Sequence, residues 1–139
     1  MRKVTIGLLA VLCLWGATSW KSQPQWRVVQ EAHMTGGTMQ ISDRPIFTPE
    51  RTGLYRLSAY CSALGIPNKS GWSFLLMWND LPGGPASASV SCLPDSYGPQ
   101  QQTVVIFSPV AGVPIRLTGE ASGDMSSTYN AAFTIEQLQ

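Results

Sequence analysis

Charge is scarce in this chain of 139 residues: Asp, Glu, Lys and Arg together make up 12% of it. Disordered tails, long exposed helices and coiled coils need far more, so none of these is expected. With 9 Lys and Arg against 8 Asp and Glu, there is no basic field to hold a nucleic-acid backbone. Histidine occurs once, at His33, and no Gly-x-Ser-x-Gly elbow is present, so a catalytic triad lacks its usual setting. His33 is instead expected to be a solvated surface residue near a Gly-Gly turn. The carboxylates are scattered, and a glycosidase pair cannot be picked from them. Two cysteines beyond the N-terminal segment and one histidine cannot complete a four-ligand zinc site, so no metal is expected. Phosphate-cradling glycine loops and amphipathic membrane helices are also missing, and no cofactor is implied. Beyond residue 20, no stretch repeats apolar residues at spacings of 3 and 4 over a helical length.

The N-terminus is the first positive feature. Arg2 and Lys3 precede an apolar run over 4–15, followed by Gly16-Ala17-Thr18-Ser19. A short cationic start, about a dozen apolar residues and a small-residue exit form a secretory signal peptide, assigned to 1–19. Cleavage after Ala17 is the close alternative. A retained membrane anchor is the structural alternative; a spanning helix needs about 20 apolar residues, and this run meets Lys21 sooner than that. Residues 20–139 then form a single domain with 7 Lys and Arg against 8 Asp and Glu, a formal charge of −1. So little charge offers weak protection against self-association.

Export also reduces the cysteines to two. Cys13 leaves with the signal, and Cys61 and Cys92 remain for an oxidising compartment, where they are expected to pair. Two buried free thiols are the alternative.

Alternation with period 2 dominates the rest. Tyr55, Leu57, Ala59 and Cys61 share one face; Ala86, Ala88, Val90 and Cys92 share another; Tyr129, Ala131, Phe133 and Ile135 share a third. Such spacing predicts half-buried antiparallel strands. Further strands are predicted over 26–32, 38–42, 71–78, 103–108 and 113–119. The run 72–78 (WSFLLMW) is apolar on both faces and suits a central strand or one covered by a neighbouring copy. Thr35-Gly36-Gly37-Thr38 reads as a tight hairpin and 80–85 as a loop. Eight short strands and no helix predict an all-β, two-sheet antiparallel β-sandwich. A jelly roll is the leading topology and an immunoglobulin-like sandwich the second.

Phe47, five residues, Gly53, one residue, Tyr55, one residue and Leu57 form a pattern that resembles part of the aromatic signature of complement-type globular heads. These are the heads of complement component 1, subcomponent q, jelly rolls akin to the tumour necrosis factor domain. Residues 111–115 (AGVPI) and 129–138 (YNAAFTIEQL) resemble late strands of the same family. In physical terms Gly53 turns the chain into a strand, Tyr55 and Leu57 fill the interior, and Phe47 packs beneath the incoming loop. The resemblance implies a homotrimer with an apolar three-fold contact, for which Trp72, Phe74, Leu76 and Trp78 are the candidates.

Functional expectations follow. The leading one is a secreted, non-enzymatic binding or assembly module with an extracellular protein or glycan as ligand. The alternative is a small carbohydrate-binding module stacking sugars on Trp26 and Tyr97; a secreted hydrolase ranks last. Asn68-Lys69-Ser70 is a glycosylation sequon, and the loop 120–124 is read as an ordinary polar loop in preference to a weak calcium site.

Overall fold

The computed structural model describes residues 23–65, 70–81, 83–93, 101–123 and 127–139. The expected signal segment, Asn68, Tyr97 and Asp124 lie outside these residues. Eight strands carry the fold: β1 (Trp26–Gly37), β2 (Ile41–Phe47), β3 (Tyr55–Leu64), β4 (Ser70–Asp80), β5 (Gly84–Cys92), β6 (Gln101–Phe107), β7 (Ile115–Gly123) and β8 (Thr128–Leu138). No helix occurs among the described residues, and none of them forms one long and apolar enough to cross a membrane.

The strands form two antiparallel sheets, ordered β1-β8-β3-β6 and β2-β7-β4-β5. Each connection carries the chain to the other sheet except β4 to β5, which are joined by a short turn and pair from Asp80↔Gly84 to Trp72↔Cys92. This is jelly-roll order, not the immunoglobulin-like alternative.

Alternation places the core. On β3 and β8 every second side chain is buried, from Tyr55 to Ala63 and from Tyr129 to Gln137. The opposite sheet answers with Trp72, Phe74, Leu76, Ile115 and Leu117, all at or below 1% exposure. Rings interlock across the gap: Phe74 lies 4.9 Å from Tyr129 and 5.9 Å from Phe133, and Trp78 lies 4.7 Å from Phe107. Tilted and edge-on contacts of this kind add about 0.5–1.5 kcal/mol each beyond area burial. The Trp72 indole nitrogen donates to Ser127 Oγ at 3.0 Å, so its polar atom is satisfied inside the core. Cys61 on β3 and Cys92 on β5 are bonded to each other, joining one sheet to the other.

Three expectations are corrected. Trp72, Phe74, Leu76 and Trp78 are not an oligomer surface, because they point into the sandwich and are covered by the chain's own second sheet. Their strand is central, between β7 and β5, and its outward side chains are Ser73, Leu75 and Met77. Second, residues 35–38 do not make a hairpin: β1 and β2 lie in different sheets, and the chain crosses the end of the sandwich there. The Gly36 amide donates to Asn130 Oδ1 at 2.9 Å, and Gly37 lies under the Tyr129 ring, where a Cβ would come within 2.2 Å of Cζ. Third, β2 runs over Ile41–Phe47 and not 38–42. It is an edge strand, which tolerates Pro45 and leaves Asp43 and Arg44 in solvent.

Candidate binding site at one end of the sandwich

The Phe47-to-Leu57 motif lies at the end of the sandwich where residues 48–54 cross from β2 to β3. Three carbonyls of this connection are held. Pro49 O accepts from Gly112 N at 2.8 Å, Arg51 O from the Tyr55 hydroxyl at 2.9 Å, and Leu54 O from Leu138 N at 2.9 Å. Pro49 is fully buried, so the loop is anchored by packing as well. Gly53 takes φ +155°, a conformation that residues with a Cβ rarely adopt, where the loop enters β3. Phe47 is half-buried with its ring 6.1 Å from that of Tyr55, while Leu57 is fully buried. The motif residues thus hold a fixed loop over the sandwich end.

Beneath that loop is a concavity of about 510 Å³ lined by β1, the end of β2, the loop and β8. Its polar groups are Arg27, Thr48, Glu50, Arg51, Gln137 and Gln139. Gln137 occupies an inward position of β8 and is only 6% exposed. Its Oε1 accepts from Arg51 Nη2 at 3.4 Å. Arg27 stands directly opposite Gln137 in the β1–β8 ladder, so the two side chains share a face. Among the described residues Arg27 makes no ion pair and no side-chain hydrogen bond. Burial raises the Tyr55 hydroxyl above its ordinary 10.0, with Arg51 opposing and Glu50 adding to the rise; it therefore stays a donor at neutral pH.

Next to this concavity, on the outer face of the sheet, Trp26 is half-buried under the Arg56 guanidinium, whose carbon lies 4.9 Å from the ring centroid. Arg56 in turn grips Glu136 with two bonds, Nε–Oε2 at 2.5 Å and Nη2–Oε1 at 2.7 Å. That contact holds the Glu136 carboxyl below its ordinary 4.5. One face of Trp26 is therefore occupied by the chain itself, which leaves it less of a stacking platform than its sequence position suggested; Tyr97 lies outside the described residues.

A second concavity of about 410 Å³ lies on the outside of the other sheet, bordered by Leu75, Met77, Pro85, Val113, Pro114 and Arg116. Arg116 is already matched, its Nε 2.6 Å from Asp43 Oδ1. His33 stands exposed on β1 with Glu31 3.9 Å away. Among the described residues no three His, Cys, Asp or Glu side chains gather as a metal site.

Sequence reasoning missed Arg27, Arg51 and Gln137. Gln137 carried a signal, as the polar residue that continues the inward series Tyr129, Ala131, Phe133, Ile135. Arg51, in an aperiodic loop, carried none. The chain matches no family model and no curated protein.

Proposed function

We propose that the chain is an exported, non-enzymatic binding or assembly module of the complement-head kind, and that three copies associate through the outer face of the β1-β8-β3-β6 sheet. The observation that carries this reading is the unequal dressing of the two outer faces. Four exposed large hydrophobics stand on that sheet's outside: Val28 (47% exposed), Leu64 (64%), Val104 (54%) and Ile106 (60%). Among the described residues the other exposed ones, Met39, Leu54, Leu81 and Leu93, belong to connections.

Across the sheet the ladders align Ile106, Arg56, Glu136 and Val28 in one row and Val104, Ser58, Thr134 and the exposed Glu31 in the next. The only charges on the two central strands of this face, Arg56 and Glu136, neutralise each other. Four strands about 4.8 Å apart and some 30 Å long present on the order of 600 Å² in projection, close to the ~800 Å² per partner of a stable interface. A net charge near zero after loss of the signal segment adds little repulsion. The buried disulfide suits an oxidising compartment.

Light scattering on residues 20–139 over a concentration series tests the reading. Three times the single-chain mass at micromolar concentration is the expected result, and a monomer throughout removes the assembly.

A further inference from the structure

We propose that the concavity under the β2–β3 loop binds a sugar acid, a small hydroxylated monoanion, with Arg27 and Arg51 taking its carboxylate. The site belongs to the binding side of the function proposed above, but its geometry does not depend on self-association.

The two arginines select the ligand class. Arg27 and Arg51 line the concavity beside a single acidic side chain, Glu50. A carboxylate brings one negative charge beside Glu50, whereas a phosphate ester brings about −1.5 to −2 at neutral pH and so more repulsion. Arginine is also the side chain whose planar fork meets a carboxylate with two parallel bonds. All of Arg27's donors are uncommitted among the described residues. Arg51 spends one donor on Gln137 at 3.4 Å, a long bond that a carboxylate oxygen can replace at little cost. This contrasts with Arg116 and Arg56, each of which already holds a carboxylate of its own.

The remaining lining selects hydroxyls. Thr48, Gln137 and Gln139 each offer both a donor and an acceptor, as a polyol requires. The half-buried Phe47 adds apolar ring surface for the C–H face of a pyranose. A volume of about 510 Å³ lies within the usual range of small-ligand sites. The loop that contributes Glu50 and Arg51 is pinned through Pro49, Arg51 and Leu54, so ligand binding need not order it.

The test is an amide NMR titration of the processed chain with sodium D-glucuronate. Expected are saturable shifts at Arg27, Arg51, Tyr55 and Gln137, with a dissociation constant of ~1 mM. Arg27→Gln and Arg51→Gln should each weaken binding about tenfold or more. D-glucose and inorganic phosphate should bind more weakly than glucuronate. The proposal is overturned by the absence of saturable shifts, by equal binding to wild type and Arg27→Gln, or by glucose or phosphate binding as well as glucuronate. Should Arg51→Gln loosen its loop, Arg27→Gln decides alone, because Arg27 is exposed and supports no described contact. Light scattering on the same samples separates this proposal from the assembly: a trimer that ignores glucuronate sinks the site only, and a monomer that binds it sinks the assembly only.

Discussion

Cys61 and Cys92 bind an inner strand of one sheet to the edge strand of the other, with their Cα atoms 5.7 Å apart and both side chains fully buried. The bridge closes a separation of 31 residues, which in the chain-entropy model restricts the unfolded state by about 3–4 kcal/mol. Cys61→Ala/Cys92→Ala should therefore lose about that much in urea unfolding, and the intact native protein should resist dithiothreitol until denaturant opens it. Rapid reduction of the folded protein would contradict the burial.

The Arg56–Glu136 pair gives a pH dependence with a definite sign. The hydrogen bonds from Arg56 lower the carboxyl's folded value below its ordinary 4.5, so the unfolded chain takes up the proton first as pH falls. The stabilisation is whole above that ordinary value and is lost as pH falls through the lowered one. Urea midpoints between about pH 6 and about pH 3 should decline less steeply in Glu136→Gln than in wild type. Parallel declines would show that the pair does not carry this part of the acid sensitivity.

Gly119 on β7 is required for space, not for backbone freedom. A Cβ there would lie 2.9 Å from Phe74 Cδ1 and 3.2 Å from Ile41 Cδ1. Alanine ordinarily gains about 0.5–1 kcal/mol over glycine in a strand, but overpacking a rigid core costs about 1–3 kcal/mol. The clash wins, because the Phe74 ring is wedged against Tyr129 and Phe133. Gly119→Ala should destabilise by about 1–2 kcal/mol, while Gly83→Ala, with nothing within 4 Å of its Cβ, should not destabilise. Thermal melts of the two variants side by side check the contrast.

The fold was largely legible because its strands alternate cleanly. Tyr55–Leu64 and Thr128–Leu138 place large or greasy side chains on one parity and small or polar ones on the other, and both strands are where the pattern puts them. Ile41–Phe47 was harder to read, since an edge strand can carry Asp43, Arg44 and Pro45 without harm and so loses its apolar signature. Over 72–78 both parities are apolar. The pattern therefore shows a strand but not which side faces inward; volume decides it, with two Trp, Phe and Leu inside and Ser73, Leu75 and Met77 outside. The concavity under the β2–β3 loop was the least legible part. Its arginines come from a strand start and a loop that meet only when the chain crosses between sheets, a long-range relation that no local period encodes.

Assembly through one sheet face is tested most directly by sedimentation equilibrium on two charge-introducing pairs. Val104→Glu/Ile106→Glu places carboxylates on the outside of the β1-β8-β3-β6 sheet, and Leu75→Glu/Met77→Glu places them on the outside of the other. The account predicts that the first pair is a folded monomer and that the second remains a trimer like the wild type. A trimer that survives the first pair and dissociates with the second would contradict it.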